Sequence, residues 1–159
     1  MTTSAPLVDP RTIALAHYAA RAVLERVLAS YGTTFQQNVT LRLAAVADGP
    51  VERLALVDGV TGALKVDAAD AHKTIDELVA AGLLVTTEAS RLDITDAGRE
   101  LYAKASAETA PVTARIYAGI SEEDRAVTGR VLTLITERAN AELAAVEARR
   151  DESRHPRHR

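Results

Sequence analysis

Cysteine and tryptophan are absent from the 159-residue chain, methionine occurs once, and the aromatic residues are four tyrosines and one phenylalanine. Without cysteine there are no disulfides, no thiolate nucleophile and none of the zinc sites that need sulfur ligands. Aromatics make up 3% of the chain while apolar residues as a class reach 47%. The core must therefore be assembled mostly from Ala, Val, Leu and Ile, which bury little area each, and such a chain gains from a partner subunit that covers its long helices. No uninterrupted apolar run approaches the length of a membrane span. The first ten residues, "MTTSAPLVDP", lack a basic region followed by an apolar block, so no signal peptide is expected and the protein is read as cytoplasmic.

Enzyme signatures are missing as well. The four histidines, His17, His72, His155 and His158, form no His-Glu-x-x-His pattern and no close cluster, so neither a metal nor a cofactor is expected. There is no glycine-rich phosphate loop: "DGVTG" has neither the lysine nor the preceding strand. No serine sits in a nucleophile elbow. Nineteen basic and 22 acidic residues give a net charge of -3. That balance does not advertise a nucleic-acid binder, although a small basic face can sit on an acidic body.

What is present is a succession of helix signals. "RTIALAHYAARAVLERVLASYG", after Pro10, carries apolar residues near helical spacing and stops at Gly32. Thr34 and Gln37 form a capping box that opens a second helix with Phe35, Val39, Leu43 and Val46 as its expected apolar side. Asp48-Gly49-Pro50 breaks it, and Pro50 suits the first turn of a third helix whose face would be Val51, Leu54, Val57, Val60 and Leu64. Gly59 and Gly62 weaken that helix. Asp67 is the expected N-cap of a fourth helix with a buried stripe of Ala68, Ala71, Ile75, Leu78 and Val79, and an opposite face of Ala69, His72, Lys73 and Asp76. Two short strands, Leu84–Thr87 and Leu92–Ile94, follow around "EASR". Thr95 caps a fifth helix, with Pro111 predicting a kink or a fresh start inside it. Ser121 and Asp124 open a last helix of about 28 residues, roughly 40 Å long, which is long enough to suggest packing against another chain. The basic end, "RRDESRHPRHR", reads as a frayed tail.

Helix, turn, helix and hairpin in this order form a winged helix-turn-helix layout, whose second helix enters the major groove of DNA. The fold class predicted is mainly α with a small β-hairpin wing, flanked by long N- and C-terminal helices. The blocks "LKVDAADAHKTIDELVAAGLL" and "LDITDAGRELY" make the chain similar to the MarR (multiple-antibiotic-resistance regulator) family of transcription factors over roughly residues 7–148. The family's Leu-x-x-x-Gly-Leu stands here as Leu78-Val-Ala-Ala-Gly82-Leu83, and its Leu-Thr-x-x-Gly as Ile94-Thr95-Asp96-Ala97-Gly98.

The resemblance implies a homodimeric repressor on a palindromic operator, released by a small aromatic or phenolic effector. It divides the chain into dimerisation helices (7–32 and 99–148), a winged DNA-binding region (34–98) and a flexible tail (149–159). It makes Lys73 and His72 the first candidates for DNA contacts, with Ala69 and Thr74 as helpers and Arg91 on the wing. Arg42 on the second helix is a further phosphate candidate. His17, Tyr18, Arg21, Tyr31 and Phe35 fall where the family's ligand pocket forms. Leu7, Val8, Ile13, Leu134, Leu143 and Val146 fall on the dimer helices. The wing is short, and residues 51–100 hold ten acids against five bases, a net of -5. Such a balance is poor for a surface laid on phosphates. It keeps open a second function, a protein-interaction or dimerisation module with little DNA binding.

Overall fold

The computed structural model describes residues 5–154. Six helices and one hairpin follow in order: α1 (Pro10–Ser30), α2 (Phe35–Ala45), α3 (Arg53–Leu64), α4 (Ala68–Ala80), β1 (Leu84–Thr86), β2 (Leu92–Ile94), α5 (Asp96–Tyr117) and α6 (Glu122–Arg154). The chain divides into two units, Met1–Ala114 and Arg115–Arg159. No helix among the described residues is long and apolar enough to cross a membrane.

The helix starts follow the cap chemistry in the sequence. Asp9 accepts from the Thr12 N–H at 2.7 Å, and this bond to the backbone holds its carboxyl below the usual range. At α2 both halves of the capping box form: Gln37 N–H donates to Thr34 Oγ1, and Thr34 N–H donates to Gln37 Oε1, each at 3.1 Å. Removing the hydroxyl orphans a first-turn donor. We expect Thr34→Ala to lower unfolding free energy by about 1 kcal/mol in urea titrations. Asp67 occupies the N-cap of α4 but makes no side-chain cap bond there.

The winged core is one cluster: Leu41 and Ala44 from α2, Leu56, Val57 and Val60 from α3, Ala71, Ile75 and Leu78 from α4, and Leu84, Leu92 and Ile94 from the hairpin. This differs from the expected faces in three places. On α2 the buried side is Thr40, Leu41 and Ala44, and Val46 is 68% exposed as the C-cap. Thr40 can be buried because its hydroxyl donates to Gln36 O within the helix. On α3 Leu54 is exposed, and Pro50 stays outside the helix. The cause is Val51, which exchanges two backbone hydrogen bonds with Leu92 at 2.7 and 2.8 Å and so holds the chain extended until Glu52. On α4 Ala68 is exposed and Thr74 buried in the stripe. Gly59 and Gly62 leave α3 unbroken.

The hairpin is antiparallel, with Leu84 opposite Ile94, Val85 opposite Asp93 and Thr86 opposite Leu92. Its turn closes through Ser90 N–H to Thr87 O, with Ser90 at φ 56°. Pro111 lies inside α5, which runs through it to Tyr117. In the second unit, Ser121 Oγ accepts from the Asp124 N–H and starts α6 as the sequence predicts. The helix runs 33 residues, about 50 Å, past the expected end. Residues 149–154, assigned to a flexible tail, are thus helical, and 155–159 lie outside the described residues.

Candidate nucleic-acid interface

The exposed side of α4 is set by what its other side buries. With Ala71, Thr74, Ile75 and Leu78 in the core, the 3.6-residue period turns Ala69, Lys73 and Asp76 to solvent. Lys73 Nζ lies 3.9 Å from Glu77 Oε1, one turn on, and keeps most of its side chain exposed. A long, exposed i,i+4 pair of this kind is weak and leaves the ammonium free to exchange its partner for a phosphate.

His72 is half-buried beside Lys73. Its Nδ1 accepts from Arg53 Nε at 3.0 Å, and its carbonyl accepts from an Arg53 terminal nitrogen at 3.2 Å. The same nitrogen donates to Asp76 Oδ1 at 2.6 Å. Arg53 went unremarked in the sequence. The signal was there: a cation at the first position of a helix works against the macrodipole and needs an outside partner.

Thr74, read from the sequence as a helper beside Lys73, is not available for a DNA contact. It is 5% exposed; its hydroxyl donates to Asp70 O at 3.0 Å and accepts from Gln36 Nε2 at 2.8 Å. A β-branched residue one position past Lys73 falls on the core side of the helix. Arg91, at the hairpin, lies with Nε 3.0 Å from Glu52 Oε1, an ion-pair distance, although that N–H is not aimed at the oxygen and forms no hydrogen bond. Arg42 stands exposed in the last turn of α2 and makes no ion pair among the described residues.

The five expected ligand residues separate into three places. Arg21 stacks its guanidinium 4.5 Å over the Phe35 ring, while its Nε pairs with Glu25 at 2.8 Å. The rings of His17 and Tyr18 lie against each other, with centroids 5.9 Å apart, and Tyr18 is 65% exposed rather than packed in a core. Tyr31 donates its hydroxyl to Glu108 at 2.7 Å, and the carboxylate raises the phenol's pKa by favouring its protonated form.

Only Arg21 and Phe35 line the cleft of about 390 Å³ that opens between α1, α2 and α4. Its other walls include Gln36, Asp70, Lys73 and Glu77. Gln36 also donates to Asp70 O at 3.3 Å, and Gln37 Nε2 donates to Glu77 at 3.1 Å. The start of α2 therefore grips α4 through Gln36, which borders this cleft, and through Gln37 beside it. Sequence reasoning used Gln37 only as a cap and missed both bridges. Among the described residues no group of His, Asp and Glu is arranged to hold a metal ion.

No protein-family model matches the chain, and no curated protein does. Solved structures do. The transcriptional regulator PA3341 is 25% identical with a TM-score of 0.67, covering 83% of this chain and 96% of its own. CouR from Rhodococcus jostii RHA1, solved with p-coumaroyl-CoA, is 21% identical with a TM-score of 0.66, covering 79% and 88%. The MarR family protein Rv2887 of Mycobacterium tuberculosis, solved in complex with DNA, is 20% identical with a TM-score of 0.61, covering 83% and 98%.

Proposed function

From the fold that this chain shares with MarR-family regulators, we propose that it is a DNA-binding transcriptional regulator acting as a homodimeric repressor on a palindromic operator. The observation that carries the reading is α4: a helix anchored on one side by the core and presenting Ala69, His72 and Lys73 on the other, with Arg91 on the adjoining hairpin. A helix held this way enters the major groove as a rigid body, and a wing beside it reaches the backbone. Support for the homodimer comes from α6, where no residue is buried although Val127, Val131, Leu134 and Ile135 recur at three- and four-residue spacings. A second copy of the chain would cover them. Leu7 and Val8 are exposed as well, and belong with Ile13, Leu143 and Val146 to the same expected interface.

The cleft supports effector control. Phe35 and Arg21 offer an aromatic face and a cation, which suits a small aromatic acid or phenol. A ligand seated there also touches Lys73 and the Gln36 bridge to Thr74, so occupancy would bias the position of α4. CouR, with its bound p-coumaroyl-CoA, is an example of an aromatic ligand on this fold.

The test is fluorescence anisotropy with duplex DNA from upstream of the protein's own gene, over a range of salt. Binding should weaken as salt rises, because each phosphate contact releases counterions. Lys73→Ala should reduce affinity for all duplexes by roughly 3- to 10-fold and flatten the salt slope by about one. Flat curves at low salt for both this DNA and random duplex would leave the second reading, a winged interaction module. A specific observation favours that module: Arg53, Lys73, Arg91 and Arg99 each stand at ion-pair distance from an acid of the same unit.

A further inference from the structure

Arg53 is the first residue of α3, yet its hydrogen-bonding atoms serve α4. A guanidinium donates and cannot accept. The imidazole nitrogen facing Arg53 Nε must therefore supply a lone pair. With Nδ1 accepting at 3.0 Å, the proton of the neutral ring sits on Nε2. The opposite tautomer would aim one N–H at another across that distance. A second bond, from the guanidinium to the His72 carbonyl, fixes the arginine to the backbone of the same residue, and Asp76 holds its charge from one turn further along. The bond to Nδ1 leaves the neutral imidazole one proton position, and the other two hold the guanidinium in place to make it.

We propose that Arg53 is a positioning residue that presets His72 as an Nε2–H donor for one acceptor on a base edge in the major groove. The acceptors there are guanine N7 and O6, adenine N7 and thymine O4. A preset donor gains contact without ordering its own proton at the moment of binding, so the arginine acts on DNA only through the histidine. The proposal rests on the DNA-binding reading given above.

Two measurements on the full chain test it. Long-range nitrogen–proton correlation spectra of the free protein, with His72 assigned through His72→Gln, should show the Nε2–H tautomer in the wild type. Arg53→Met should give a mixture of tautomers. Arg53→Leu carries the same test if Arg53→Met fails to fold, since it too leaves no donor facing Nδ1.

In anisotropy titrations, Arg53→Met and His72→Ala should each lower affinity for the duplex from upstream of the gene by about 10-fold and for a scrambled duplex by less than about twofold. The double variant should bind like His72→Ala alone, because the two residues act as one. An unchanged tautomer in the arginine variant overturns the proposal, and so do additive losses. Equal losses on both duplexes would mean a phosphate contact and overturn the base-edge role. Wild-type protein with no affinity for either duplex sinks the regulator reading and the base contact with it, while the spectrum of the free protein still decides whether Arg53 sets the tautomer.

Discussion

Gly98→Ala is expected to destabilise the protein by roughly 3 kcal/mol, a fall of about 10 °C in melting temperature. The glycine sits buried in the first turn of α5, against the chain where α4 gives way to β1. A Cβ there would fall 2.2 Å from the Leu83 carbonyl oxygen, 3.1 Å from its carbon and 2.8 Å from Ile94 Cγ1. A flexible side chain could swing aside, but a backbone carbonyl cannot do so freely. Leu83 O already accepts the Thr95 N–H at 3.1 Å, and Leu83 N–H donates to Leu78 O at 2.9 Å. Thr95 in turn donates its hydroxyl to Gly82 O and accepts from the Gly98 N–H. Moving Leu83 thus disturbs the end of α4, the base of the hairpin and the start of α5 together. Paired urea titrations of wild type and variant measure the change. A difference under about 0.5 kcal/mol would show that the backbone yields and that the close approach carries no cost.

Leu134→Glu is expected to convert a dimer into single chains and to lower operator affinity by about 100-fold. In the chain alone Leu134 is 45% exposed, and a glutamate on such a surface would cost little. In the proposed dimer it lies on the face covered by a second copy, where an unpaired carboxylate is expensive. The two situations predict opposite outcomes for the same substitution. On the proposed function, loss of pairing would also separate the two copies of α4, so that each half-site would be bound without the other. Sedimentation velocity reads the mass, and anisotropy reads the affinity on the same samples. A variant that keeps the wild-type mass removes α6 from the interface.

Several elements were legible because their causes are local. The Thr34–Gln37 and Ser121–Asp124 caps, the stop at Gly82, the hairpin and the role of Thr95 all depend on residues within a few positions of one another. The exposed position of Lys73 followed from helical period alone. Faces of helices were less legible where several apolar residues compete. On α2 and α3, Val46 and Leu54 look as apolar as the residues that are buried, and only contact with the other elements decides between them.

The candidate site divides in the same way. Residue types on α4 could be read from spacing, but Thr74 could not be recognised as buried until Gln36, 38 positions earlier, was seen to satisfy its hydroxyl. Arg53 acquires its meaning from His72, 19 positions away, and the expected ligand set broke apart because Tyr18 and Tyr31 turn from the cleft that Arg21 and Phe35 share. By itself the sequence determined the order of elements, the caps at Thr34, Thr95 and Ser121 and the motif glycine at residue 98, since each is governed by short-range backbone chemistry. Only the tertiary structure decided which polar side chains are satisfied across helices, which cations are already paired and which apolar residues are left uncovered, because those depend on distances that no local spacing encodes.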